Sequence, residues 1–237
     1  MRKPFIVLIL AVLMLVGGNA QAQGKKEIRF NGGKADQLVQ MIKDNPNAET
    51  LYLFHIGLDS LPEEIGQLKH LKKLVVSSNN LTYVPAVIGE LTELEHISFK
   101  NNEITALPAE IGRLKNLKEL ELDHNKLQAL PDELCALTNL EQLSVGRNQL
   151  RHLPDNIGQL ESLEYLYVND NKLQDLPVSL AQLTSLIELN VAKNSGTIVI
   201  PDMSECHRLE RIYVDEFTMM DSSYNPRGNR VEIVVVR

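Results

Sequence analysis

Tryptophan is absent and aromatic residues make up only 5% of this 237-residue chain, although 43% of it is hydrophobic. An interior built from such a composition has to be filled by aliphatic side chains. Cysteine is nearly absent too, with only Cys135 and Cys206, and no paired CxxC occurs. There is no Gly-rich phosphate loop, no GxSxG and no HExxH, which removes the usual sequence support for nucleotide, hydrolase or metalloprotease chemistry. The six histidines, at 55, 70, 96, 124, 152 and 207, form no metal-binding column. Basic charge is short, 24 Lys+Arg against 31 Asp+Glu, and this acidic balance argues against a nucleic-acid partner.

Long apolar runs are missing except at the amino terminus. There, Arg2 and Lys3 precede an apolar run from Phe5 to Val16, and small residues follow at Ala20-Gln21-Ala22. This order has the form of a secretory signal peptide over residues 1–22. A spanning helix needs about 20 apolar residues, so no stable membrane span is expected after cleavage. Cleavage after Ala22 removes two basic residues and no acidic one, leaving a net charge of −9. The expectation is an exported protein, periplasmic, cell-surface or extracellular.

What the chain does contain is a repeated unit. Residues 94–116 read LEHISFKNNEITALPAEIGRLKN, with fixed letters LxxLxLxxNxLxxLPxxIGxLxx. A shift of 23 residues carries Leu94 onto Leu71 in one direction and onto Leu117, Leu140, Leu163, Leu186 and Leu209 in the other. With these letters the chain resembles the leucine-rich repeat family, in the 23-residue LPxxIGxL variety found in bacterial proteins and in Ras-group proteins of plants and animals. The resemblance implies an α/β solenoid, a leucine-rich repeat horseshoe with a parallel concave β-sheet, short helical or 3₁₀ convex segments and a cap at each end. It also implies that the concave face carries the partner site. Intracellular Ras-group relatives act as scaffolds, some engaging small GTPases, but the signal peptide separates this chain from that compartment. The likeness therefore transfers fold and not partner. Some bacterial relatives carry a separate catalytic domain with a nucleophilic cysteine, and here the repeats and caps are expected to take up the whole mature chain.

Residues 23–47 read as an amino-terminal cap: Ile28-Arg29-Phe30 lies in frame as a first strand, and 36–44 as a short helix ending before Pro46. About eight repeats follow over 48–217, with strand centres from Leu51/Leu53 to Ile212/Val214. Residues 218–237 form a carboxy-terminal cap whose VEIVVVR run is expected to be a strand. Asn79, Asn102, Asn125, Asn148, Asn171 and Asn194 form a structural ladder, because an amide can serve donors and acceptors of its own and the neighbouring turn. The column breaks at the ends, to Ile56 and Phe217. Proline at 62, 85, 108, 131, 154 and 177 is expected in the first helical turn, and the acidic residues after it read as helix-start charges. The unit after Asn194 loses IGxL, so its convex side is expected to be irregular.

Function resides in the positions that vary. Three outward columns start at Thr50, Tyr52 and Phe54 and advance by 23 residues, and rare aromatics fall on them. Tyr165, Tyr167 and Tyr213 group toward the carboxy-terminal end, with Asp123, Arg147 and Asp170 at the margin, while Tyr52 and Phe54 group at the other end. Tyrosine supplies contact area with a polar tip, so these residues are the candidate protein-contact or peptide-contact site. A plain alternative is that tyrosines suit strand surfaces and that Tyr52 and Phe54 pack under the cap. The expected function is a secreted, non-catalytic binding module for a protein or peptide, with a glycan as a second partner class and no cofactor or metal. The alternative is a structural envelope component, or a glycan-binding adhesin without a discrete protein ligand.

Cys135 stands in frame with Gly66, Gly89, Gly112 and Gly158 as a small convex packing residue. It lies three repeats from Cys206, roughly 14 Å at about 4.8 Å per strand, whereas disulfide Cα atoms lie within about 7 Å. Non-reducing intact-mass analysis should find both thiols free. A monomer with Cys135 bonded to Cys206 would overturn the repeat register.

Overall fold

A strand of three residues exposes backbone donors and acceptors on both edges, and stacking identical units in register satisfies them at every step. The computed structural model describes residues 26–195, 197–221 and 231–236. The signal peptide expected over residues 1–22 and much of the expected 218–237 cap lie outside these residues. The strands are β1 (Glu27–Arg29), β2 (Thr50–Tyr52), β3 (Lys73–Val75), β4 (His96–Ser98), β5 (Glu119–Glu121), β6 (Gln142–Ser144), β7 (Tyr165–Tyr167), β8 (Glu188–Asn190), β9 (Val199–Ile200), β10 (Arg211–Val214), β11 (Met219–Met220) and β12 (Glu232–Val235). Ten of them form one parallel sheet in the order β1-β2-β3-β4-β5-β6-β7-β8-β10-β12. Between β2 and β10 each step of the register is 23 residues, as in Leu74 opposite Ile97 and Leu189 opposite Ile212. Beyond β10 the frame changes, and Ile212 faces Ile233 on β12. Helix α1 (Ala35–Asp44) buries Leu38 and Ile42, four residues apart, against the first repeat.

Period-two alternation sends Leu51 and Leu53, Leu120 and Leu122, and their counterparts inward, where they are inaccessible to water. The leucines of the connecting segments close the same core, in which Phe99 is the largest fully buried side chain. The convex side consists of 3₁₀ turns at Glu63–Gln67, Ala86–Glu90, Ala109–Arg113, Asp132–Ala136, Ile157–Gln159 and Val178–Gln182. The prolines at 62, 85, 108, 131 and 177 sit one residue before these turns in extended backbone, not inside them as expected. From there the proline carbonyl accepts the first bond of the turn, as Pro62 does from the Ile65 N–H at 3.0 Å. The irregular unit replaces its turn by β9, which pairs in parallel with β11.

The glycine of IGxL is set by contact between turns. A Cβ on Gly89 would lie 2.6 Å from the Glu110 carbonyl oxygen of the next repeat. Cys135, buried in the equivalent place, is followed one repeat on by the shortened turn Ile157–Gln159.

At the exit of each strand two features repeat together. His55, Ser78, Asn101, His124, Arg147, Asp170 and Lys193 all have φ between 53° and 60°, a left-handed conformation that is uncommon without glycine. In the first six the N–H prolongs the sheet, as Arg147 does toward the Asn169 carbonyl at 2.9 Å. Lys193 instead donates to the Asp215 carboxylate at 2.6 Å. After each of these left-handed residues except His55, which precedes Ile56, the next residue is the asparagine. Asn125 Nδ2 donates to the carbonyls of Phe99 and Leu122, both at 2.9 Å, and its Oδ1 accepts the Ile104 N–H at 3.0 Å. Asn79, Asn102, Asn148, Asn171 and Asn194 repeat this arrangement, each joining its own repeat to the one before.

Asn125→Ala should cost about 3 kcal/mol or more in urea unfolding, since each orphaned buried polar group costs about 1–3 kcal/mol. Asn125→Asp turns an acceptor toward two carbonyls, so its carboxyl should remain protonated when folded, with a pKa above the unfolded value of about 3.9. That variant should be most stable below pH ~4 and lose stability as pH rises above it. A loss under ~1 kcal/mol for the alanine variant would contradict this account of the ladder.

Candidate binding site on the concave face

Outward side chains are fixed by the strand register, so residues 23 apart become neighbours. Several are nonetheless buried: Ser77, Ser98, Ser144, Ala192 and Glu188 lie between larger neighbours. The face is therefore furrowed, with raised aromatic and charged positions around small ones.

Tyr165 faces Glu188, which faces Arg211 across β7, β8 and β10, and one layer over Tyr167 faces Asn190, which faces Tyr213. The three tyrosines thus occupy one corner of the face, each half-buried, with Glu188 among them at 9% exposure. The Glu188 carboxylate is 3.4 Å from Arg211 Nη2. Burial, then the hydrogen bond and charge of Glu188, then Tyr165 and Tyr213, push the Tyr167 phenol well above its ordinary range. Glu188 and Arg211 belong to this cluster and were not among the expected site residues. The signal for them was present in the first column, where an acid stands between a tyrosine one repeat before and an arginine one repeat after.

Of the expected margin, Asp123 and Arg147 line a hollow of about 340 Å³ together with Tyr167, Ser144, Gly146 and Lys100. Arg147 Nε is 3.4 Å from Asp170, and its Nη1 is 3.0 Å from His124 Nε2. Asp123 accepts the Gly146 N–H at 3.2 Å, and its other oxygen is 3.6 Å from Lys100 Nζ without hydrogen-bond geometry. Burial holds the Asp123 carboxyl above its ordinary range despite the Lys100 charge. At the far end the amino-terminal pair divides. The Arg29 guanidinium of β1 stacks 4.1 Å over the Tyr52 ring, whereas Phe54 remains 60% exposed beside His55.

Both thiols are free and buried. Burial, with Asp132 beside Cys135 and Glu205 beside Cys206, pushes each up to about 11, so neither is a ready nucleophile at neutral pH. Among the described residues no group of His, Cys, Asp and Glu could hold a metal, and no helix is long and apolar enough to cross a membrane.

In a spectroscopic titration, Tyr167 should ionise late among the six tyrosines, and Glu188→Gln should bring it part of the way down. Because the folded pKa is raised, this residue's contribution to stability should be complete below the unfolded pKa of about 10 and decline as pH rises beyond it. Simultaneous ionisation of all tyrosines in the ordinary range would refute the burial of this phenol.

Family models agree with this geometry. A leucine-rich repeat region model matches residues 49–147 and a leucine rich repeat model matches residues 138–195. No curated protein sequence matches the chain. Among solved structures it is similar to a leucine-rich repeat protein of Leptospira interrogans, with 24% identity and a TM-score of 0.51 over 89% of this chain and 71% of that one. The plant peptide hormone receptor RGFR1 in complex with RGF2 has 25% identity and a TM-score of 0.67, over 91% of this chain and 38% of that one. The ectodomain of the Arabidopsis thaliana receptor kinase GASSHO1/SCHENGEN3, in complex with CASPARIAN STRIP INTEGRITY FACTOR 2, has 22% identity and a TM-score of 0.65, over 86% of this chain and 31% of that one. The chain spans less than two fifths of either receptor chain. With the two models running unbroken from residue 49 to 195 over a solenoid of matching period, the chain belongs to the leucine-rich repeat family.

Proposed function

We propose that this protein is an exported, non-catalytic binding module that holds a protein or peptide on its concave face. The observation that carries the reading is the corner where Tyr165, Tyr167 and Tyr213 surround the Glu188 carboxylate beside Arg211. Half-buried tyrosines lose little side-chain freedom on binding and offer both ring surface and a hydroxyl. The Glu188 and Arg211 charges orient them before a ligand arrives, which lowers the ordering cost of association. The RGFR1 and GASSHO1/SCHENGEN3 structures, each a complex with a named factor, support this class of partner.

The division that accompanies this reading is a signal peptide at 1–22, a cap at 23–47, repeats at 48–217 and a second cap at 218–237. A second reading, a self-associating envelope component, is favoured by the exposed apolar side chains near the carboxy-terminal strands: Phe217, Met219, Val199 and Val235. Capture from the protein's own environment distinguishes the two. The unmodified protein should retain a discrete protein or peptide, and Tyr165→Ala with Tyr167→Ala should reduce that retention tenfold or more, since two anchor residues at about 2 kcal/mol each are removed. Equal capture by the double variant defeats the tyrosine site, and recovery of the chain only with copies of itself favours the envelope reading.

A further inference from the structure

The hollow beside the tyrosine corner owes its shape to two small residues on and just after β6. Ser144 is buried and Gly146 carries no side chain, while Asp123 and Asn169 lean over the glycine from either side. A Cβ there would lie 3.0 Å from the Asn169 side-chain oxygen and 3.1 Å from that of Asp123. Tyr167 walls the hollow on the side of the cluster.

Its charges are unevenly matched. Lys100 serves two carboxylates, Glu121 at 2.7 Å and Asp123 at 3.6 Å. The other cation of the rim, Arg147, is engaged by Asp170 and His124. One ammonium therefore faces two carboxylates, and the second oxygen of Asp123 has no hydrogen-bond donor. A buried carboxylate oxygen without a donor is costly, and an added cation that donates to it removes the cost.

We infer that this hollow is a specificity pocket for a basic side chain, arginine or lysine, of an extended peptide lying on the concave face. The inference rests on the concave-face reading above and adds the chemistry of one ligand position. The incoming cation packs against the Tyr167 ring and donates to Asp123, displacing the Lys100 ammonium, which stays on Glu121. Gly146 keeps the pocket open, and the Gly146 N–H holds the first oxygen of Asp123, while the second, closed to solvent beside the Lys100 ammonium, becomes the ligand's acceptor once that ammonium is displaced. An acidic side chain finds no free cation there, because Lys100 and Arg147 are already paired.

The test uses acetyl-Gly-Arg-Gly-amide against the isotopically labelled protein, followed through the Gly146, Asn169 and Asp123 amide signals. Two control peptides carry citrulline or glutamate in place of arginine. The arginine peptide should shift these signals saturably, with citrulline and glutamate at least about tenfold weaker. Asp123→Asn, which keeps the acceptor for Gly146, should weaken the arginine peptide about tenfold, and Lys100→Met should tighten it several-fold by vacating the carboxylates. These opposite signs separate a binding role from simple damage to the fold. Equal shifts by the arginine and citrulline peptides, preference for glutamate, or weaker binding in Lys100→Met would overturn the assignment. If capture still depends on Tyr165 and Tyr167 but the arginine peptide fails, the pocket is refuted and the concave-face reading stands. If capture is indifferent to the tyrosines while the arginine peptide binds, the tyrosine anchor is refuted and the pocket stands.

Discussion

The fold depends on how the chain leaves each strand. A backbone that turns out of a sheet and down the side of a solenoid takes several N–H and C=O groups out of water without a regular partner for them. One asparagine in each of the six repeats between the ends meets that need. Asn102, for example, donates to the carbonyls of Val76 and Phe99 and accepts from the Leu81 N–H. Because one donor goes to the preceding repeat and one to its own, the amide also fixes the spacing between repeats. The left-handed residue just before it lets the chain turn while, in all but Lys193, its own N–H still prolongs the sheet. A solenoid whose leucines are interchangeable in chemistry needs such a polar fastening, since apolar burial alone is non-directional and would tolerate slippage.

On the opposite side the constraint is steric. Successive 3₁₀ turns approach so closely that a β-carbon at Gly89, Gly112 or Gly158 meets the backbone carbonyl of the next turn. Where Cys135 introduces a side chain, the following turn is the shortest of the set. Inner and outer surfaces are thus held by different means, amide hydrogen bonds within and backbone contact without. Neither uses the outward strand residues, and those positions are free to vary and to carry recognition.

This separation also explains what could be read from the letters. The strands, the inward leucines and the asparagine column follow from a 23-residue period with one allowed chemistry at each position. The left-handed position has no such letter, being His, Ser, Asn, His, Arg, Asp and Lys in turn. Its conformation is imposed by the neighbouring amide and the sheet and not by the residue type. Tyr52 and Phe54 stand alike in the letters, with packing under the cap as the alternative to a contact site, and only the structure divides them, Arg29 of the cap strand covering Tyr52 while Phe54 stays exposed. The continuation of the sheet by β12 in a shifted frame, and the pairing of β9 with β11, had no periodic signal at all. In the candidate site the three tyrosines stood out by rarity. Glu188 did not, because the burial of a carboxylate is decided by the size of side chains 21 to 23 residues away.

Glu188 is the residue that separates recognition from architecture. An acid kept in a furrow of the sheet needs compensation for lost hydration, and a buried pair is no better for stability than well-packed apolar side chains of the same volume. Elsewhere along the face the furrows hold serine or alanine, at Ser77, Ser98, Ser144 and Ala192, which involve no such cost. The charged furrow occurs where tyrosines flank it, and Arg211 lies within reach of it. A carboxylate there organises Tyr167 and Arg211 into one polar surface between aromatic rings, an arrangement that suits the proposed peptide ligand through directed hydrogen bonds and gives the solenoid nothing that serine would not.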